Sequence, residues 1–447
     1  MKGRFLVQIL LLLLSFTAVA EDFMDMIGKN FHIFSEDRPR FIKPSNARYF
    51  RWMSDEKKAV RYNSAGRRNK LTFFGQPVAE VIVYFEENSV SRIYISIYNR
   101  GDNQQISTEE FYKISKEIYR NLKALYPNER HIQRKEKIGD GKFVNAVIWR
   151  GEKYSCRMLW SISGKTRRSE KPEYLQVEFE PFNPSSDPAT RPLMRADRTK
   201  IAARENLPEN VQRKSNGDVY IDNIPMVDQG RKGYCVAAVL ERVLRYYNVP
   251  VTQHIIAQLC GTSAERGTST DVMVKVMENA SGKFGIRIRD EYDLFGKKRA
   301  IGTLKELLSD YNRLARKKKK PEQKMVIRNR TVYLDETIYN LDPEIYAQVR
   351  NNDSEFRKFH QTIVRNVNSG IPVIWCVLLG IMPEDKLSSQ SKGGHMRLII
   401  GYNEKNQEIL YTDSWGMGHE LKSMPIQHAW AITTRVFYMI PRARKMY

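Results

Sequence analysis

Four side chains, Gln229, Cys235, His395 and Asp413, could together carry out nucleophilic acyl chemistry. A thiol attacks as thiolate, and an ordinary cysteine, with a pKa of about 8.5, is mostly protonated at neutral pH. Cys235 opens a run in which Val236, Val239, Leu240, Val243, Leu244 and Tyr247 recur at three- and four-residue intervals, and Asn248-Val-Pro250 ends it. That spacing predicts a helix with the thiol at its N-terminus, where the dipole and free N–H groups favour a thiolate. His395 can supply an imidazolium partner and later protonate a leaving amine. Asp413 can accept from the other ring nitrogen and fix tautomer and orientation. Gln229 can donate to a tetrahedral oxyanion, an interaction often worth about 3 kcal/mol.

The neighbouring residues predict how these groups meet. Gly393-Gly-His395 leads into the apolar run Met396–Tyr402, and Glu408–Thr412 reads as a second strand after the loop 403–407. His395 then starts one strand of a hairpin and Asp413 follows the end of the next, and the ends of an antiparallel pair are close in space. Trp415 is placed to cover the His–Asp bond, as a packing residue rather than one that touches substrate. His254, His360, His419 and His428 read as structural.

QGRKGYC (229–235), GGHMRLIIGYN (393–403) and YTDSWG (411–416) resemble the three motif blocks of papain-like cysteine peptidases. In that superfamily a glutamine six positions before the nucleophile helps to form the oxyanion hole. The acid at 413, in place of asparagine, makes the chain more similar to the bacterial group related to bacteriocin-leader-processing (double-glycine) peptidases. Thr252–Leu259, Gly267-Thr-Ser-Thr-Asp271 and Ser369-Gly-Ile-Pro-Val373 are similar to that group's second helix, third-helix turn and pre-histidine strand. The resemblance covers about 205 to 440 and implies a cysteine-type peptidase using no cofactor and no metal. It also has departures: Val236 follows the nucleophile, the CG[SA]C[WY] signature is absent, and Cys235 and His395 are unusually far apart. The basic insertion near 313–340 accounts for the extra length.

Lys2 and Arg4, the apolar run Phe5–Phe16 and Thr17-Ala-Val-Ala20 read as a signal peptide over 1–20, so the protein is expected to be secreted, periplasmic or in the cell envelope. No later segment is long and apolar enough to span a membrane. Removing Lys2 and Arg4 from a net charge of +23 leaves +21. Such a charge attracts polyanions, an anionic envelope surface included, although simple solubility of a basic exported protein is the preferred reading. No nucleic-acid motif accompanies it. The other cysteines, Cys156, Cys260 and Cys376, show no zinc spacing, and a Cys260–Cys376 disulfide is left open.

The expected class is α+β, a papain-like domain at 205–447 preceded by a small α+β domain at 71–181. Residues 21–70 read as an arm and the proline-bearing 182–204 as a linker. In the first domain, Val81–Phe85 and Arg92–Tyr98 read as a hairpin. Ser107 and Glu110 form a capping box opening a helix with Phe111, Ile114, Ile118, Leu122 and Leu125 on one face, and three strands follow. This domain shows no catalytic set. The run Asn312–Lys324 reads as a solvated helix end and loop. Two other functions fit the same residues: transglutaminase-like acyl transfer, and a binding protein on a papain-like scaffold.

Overall fold

The computed structural model describes residues 20–442 except 42, 66, 68, 103–104, 140–141, 165, 167–168, 185–186, 190–192, 194–200, 231–232, 263–266, 297–299, 353 and 385–391. Almost all of the signal segment, and much of the linker at 182–204, lie outside these residues.

The N-terminal part is built on one antiparallel sheet. Its strands are β1 (Arg51–Trp52), β2 (Ala59–Asn63), β3 (Glu80–Glu86), β4 (Ser89–Asn99), β5 (His131–Gly139), β6 (Lys142–Arg150), β7 (Tyr154–Ser163) and β8 (Lys171–Pro181). They lie in the order β1-β2-β3-β4-β8-β7-β6-β5. Helix α1 (Thr108–Leu125) starts at Ser107, whose hydroxyl accepts from the Glu110 N–H at 3.1 Å. The predicted hairpin is β3–β4, and the three predicted strands are β6, β7 and β8. The additional strand β5 carries alternating exposed charges and sits at the sheet edge, where apolar periodicity is not required.

Both faces of this sheet are buried. On one, Val147, Trp149, Met158 and Val177 pack with Phe111, Ile118 and Leu122 of α1. The stretch expected as an arm contributes Phe23, Ile27, Phe41 and Tyr49 to that core and supplies β1 and β2. Its aromatic residues are anchors for a sheet face that α1 alone does not cover.

On the other face, Val144, Ala146, Ile148 and Leu159 share a core with the C-terminal part. There α2 (Cys235–Tyr246), α3 (Gln253–Cys260) and α4 (Thr270–Phe284) follow in sequence. Lys142 Nζ donates to the Gln258 carbonyl at 2.6 Å and Gln258 Nε2 to Ser161 Oγ at 2.7 Å, fastening α3 to the first sheet.

The second sheet contains β9 (Val211–Arg213), β10 (Asp218–Ile221), β11 (Ile286–Asp293), β12 (Val373–Leu379), β13 (Gly393–Asn403), β14 (Glu408–Thr412), β15 (Lys422–Pro425) and β16 (Thr433–Pro441). Its path is β9-β10-β13-β12-β16-β11, with β14 pairing both β13 and β15. Leu398 lies opposite Thr412 in the β13–β14 pairing, which brings Asp413 alongside the start of β13. The basic run falls at the end of a helix, Ala300–Lys317, and in the exposed residues after it. All four cysteines are free thiols, so Cys260 and Cys376 form no disulfide.

Candidate active site

Cys235 occupies the first residue of α2. No side chain caps this helix, so its first N–H groups remain available to an anion. Val236, Val239, Leu240, Val243 and Leu244 are buried and hold α2 against the second sheet. The thiol therefore stands on a rigid element whose axis points its positive end at the sulfur.

His395, in β13, is buried, and its Nε2 lies 3.0 Å from Asp413 Oδ1. With Nε2 so engaged, Nδ1 is left for the thiol. It makes no closed hydrogen bond in this arrangement, but Cys235 and His395 interact strongly enough to shift each other's proton affinity. Burial alone would raise the thiol pKa. The nearby His395 ring and its charge, and the N–H groups of Met396 and Val236, reverse this and bring it below the ordinary thiol value. Burial alone would likewise lower the pKa of His395, but Asp413 and Cys235 raise it above 6.5. Both shifts favour a thiolate–imidazolium pair.

Asp413 is fully buried and strongly acidic. Desolvation opposes its charge, but Arg397, His395 and Lys422 outweigh it and hold the carboxyl well below the usual carboxylate range. Arg397 Nε donates to Oδ1 at 2.8 Å, and Lys422 Nζ lies 3.4 Å from Oδ2. Arg397 also pairs with Glu384 at 2.7 Å. Arg397 lies two positions after His395 in the sequence, so both project from one face of β13 towards Asp413. The backbone of Asp413 is fixed too, its N–H on the His419 carbonyl at 3.0 Å and its carbonyl accepting from Arg242 Nη1 at 2.7 Å. Arg242 lies on α2 seven positions after Cys235, two helical turns along the same face.

Trp415 stacks on His395, ring centroids 4.4 Å apart and planes 16° from parallel, which covers the His395–Asp413 bond from one side. His419 packs edge-on against Trp415 at 5.4 Å. His254 lies in the contact between the two parts, stacked with Tyr94 and 3.7 Å from Glu80.

Gln229 is buried, and its backbone N–H donates to the Ser414 carbonyl at 2.9 Å, so its loop is tied to the loop that carries Asp413. Gly230 has φ of 72°, a conformation that favours glycine, and a Cβ there would come within 3.3 Å of Arg61. Asp228 on the other side of Gln229 pairs with Arg61, which also pairs with Glu80. Within Gln229–Cys235, Arg231 and Lys232 lie outside the described residues.

The structure places Cys235, His395 and Asp413 near one another and ties the backbone of Gln229 to Ser414, the residue after Asp413. Sequence reasoning missed Arg397, Glu384, Lys422 and Arg242, and also Arg61, which reaches the site from the other sheet. Arg397 did carry a signal: a charged residue inside an apolar strand, in period-two register with the histidine. Among the described residues no group of three or more His, Cys, Asp or Glu is placed to hold a metal ion, and no helix is long and apolar enough to cross a membrane.

Residues 221–437 match the model of the Peptidase_C39 like family. Among curated proteins none matches the chain. Among solved structures, xylellain, a cysteine protease from Xylella fastidiosa, is similar at 11% identity over 55% of this chain and 92% of that one. The TM-score of 0.21 is too low for that likeness to carry an argument. The matched region contains Cys235, His395 and Asp413 together, and over it the chain is similar to C39-type cysteine peptidases.

Proposed function

We propose that this protein is an exported peptidase that hydrolyses peptide bonds through Cys235, His395 and Asp413, with Gln229 in the oxyanion hole. The observation that carries the reading is the buried His395–Asp413 pair beside a thiol at a helix N-terminus. In this reading the Cys235 thiolate attacks the scissile carbonyl carbon. The oxyanion formed is held by the Gln229 side-chain N–H and the Cys235 backbone N–H. His395 passes its Nδ1 proton to the departing amine, leaving an acyl-thioester on Cys235. Water then attacks the thioester, His395 takes its proton, and collapse releases the acid and restores the ion pair.

Lys2, Arg4 and the apolar run before Ala20 support export. The same reading divides the chain into the signal segment 1–20, an N-terminal arm and α+β unit over 21–181, a linker at 182–204 and the peptidase unit 205–447. The shared core supports an N-terminal unit that stays with the enzyme rather than leaving on activation.

Incubating residues 21–447 with a peptide mixture in ¹⁸O-water tests the reaction. Hydrolysis predicts ¹⁸O in newly formed C-termini, lost in Cys235→Ser. Incorporation of an added amine without hydrolysis, or cleavage that survives in Cys235→Ser, contradicts it.

A further inference from the structure

Beside the proposed catalytic groups lies a cleft of about 330 Å³, formed where the N-terminal sheet meets the loops at Gly230 and Trp415. Arg51, Arg61 and Arg67 line it from the N-terminal side. Its one carboxylate among the described residues, Asp228, has both oxygens engaged: Oδ1 accepts from the Gly230 N–H at 2.8 Å and Oδ2 pairs with Arg61. Arg61 is buried and neutralised by Asp228 and Glu80, yet its Nη2 has no hydrogen-bond acceptor. Arg51 and Arg67 have no carboxylate partner among the described residues. Arg51 donates to the Phe50 carbonyl at 2.8 Å and Arg67 to the Arg48 carbonyl at 3.2 Å. A guanidinium carries five N–H donors, so most of theirs remain available.

Arg51 and Arg67, which have no carboxylate partner among the described residues, raise each other's energy. Burial lowers the pKa of Arg67, and the charges of Arg51 and Arg61 lower it further. A bound anion relieves that repulsion and accepts the idle N–H groups in charge-assisted, fork-like geometry. The position of the cleft indicates which part of a substrate reaches it. Gly230 follows the oxyanion residue Gln229, and Trp415 lies on His395, the group that hands its proton to the departing amine. Chain on the leaving-group side of the scissile bond therefore runs past the arginines.

We infer that this cleft binds a substrate carboxylate on the leaving-group side, carried by an Asp or Glu side chain or by the peptide's own C-terminus. The inference rests on the peptidase reading above. It makes the N-terminal sheet half of the substrate site and gives the basic cluster a recognition role.

The test uses residues 21–447 and peptide pairs that differ only as Glu and Gln at positions after the cleavage point, all amidated at the C-terminus. A third set carries Gln with a free C-terminal carboxylate. Either carboxylate should raise kcat/KM about tenfold or more over the neutral peptide, and the advantage should shrink with added salt. Arg51→Gln/Arg67→Gln should remove the advantage, and Arg67→Glu should turn it towards Lys-bearing peptides, an inversion that misfolding cannot produce. Equal rates for acid and neutral peptides, or a preference intact in the double variant, would overturn the subsite alone. No cleavage of any peptide, together with a Cys235 inert to thiol reagents, would overturn the peptidase reading and this inference with it.

Discussion

Arg397 Nε lies 2.8 Å from Asp413 Oδ1, the same oxygen that meets Nε2 of His395. Arg397 touches no reacting atom in the proposed chemistry; it is a positioning residue. Behind the histidine, two buried carboxylates, Asp413 and Glu384, face two cations, Arg397 and Lys422. These four side chains balance one another in charge, and a thiolate–imidazolium pair adds no net charge. A buried site can therefore hold the charged pair without an uncompensated ion.

Breaking this cluster on one side should be costly. Arg397→Met leaves Glu384 buried without its cation, and loss of one partner of a buried pair typically costs about 3–5 kcal/mol. Arg397→Met/Glu384→Met removes both charges and should recover much of that loss, because Lys422 still faces Asp413. Denaturant unfolding of the three variants measures the coupling. Additive losses would show that Arg397 and Glu384 do not act as a pair.

The directions of the two pKa shifts set the pH profile. The thiol is active once deprotonated, and its pKa is lowered, so the acid limb of kcat/KM should fall below the ordinary thiol range. The imidazolium is lost as pH rises through a raised pKa, so the alkaline limb should lie above 6.5. The result is a bell with an optimum between the limbs. In His395→Ala, alkylation of Cys235 should shift to higher pH because the partner that lowers the thiol pKa is gone. An unchanged alkylation profile in that variant would show that His395 does not activate the thiol.

Gln229→Ala should lower kcat by about a hundredfold or more with little change in KM, because an oxyanion donor acts on the transition state. Steady-state kinetics on one cleaved peptide decide this. A rise in KM at constant kcat would assign Gln229 to substrate binding instead.

Arg61 links the first sheet to Asp228, the residue before Gln229. Arg61→Met should leave Glu80 and Asp228 with one cation fewer, lower the melting temperature and reduce kcat. If the role is positioning, Arg61→Lys should restore part of the stability and less of the rate, because lysine supplies charge without the fork. Equal recovery of stability and rate would make Arg61 a purely structural residue.

The site was legible in the sequence to the extent that its chemistry is local. Cys235 opens a strongly periodic helix, and GGH and TDSWG flank two apolar strands, so four residue types at short spacings mark the elements that present them. Arg397 escaped notice because MRLIIGY reads as an apolar strand and one arginine does not disturb that pattern. Arg61 and Glu80 could not be read at all. They pair with each other between β2 and β3, but Asp228 and His254, which they also meet, lie more than a hundred residues away in sequence, and nothing in the local pattern of β2 or β3 records it. β5 was missed for a related reason, since an edge strand with alternating charges buries too little to show a period. Residues 21–63 look polar on average, yet Phe23, Ile27 and Phe41 are anchors whose burial depends on a sheet face formed much later in the chain.

The central claim is that His395 activates Cys235 as a nucleophile. Labelling of purified residues 21–447 with an epoxide-type cysteine-peptidase probe, located by mass spectrometry, tests it most directly. The account predicts modification at Cys235, with the buried Cys156, Cys260 and Cys376 spared, and loss of that modification in His395→Ala. Labelling of Cys235 that persists undiminished in His395→Ala, or no labelling of Cys235 in the folded wild-type protein, would contradict it.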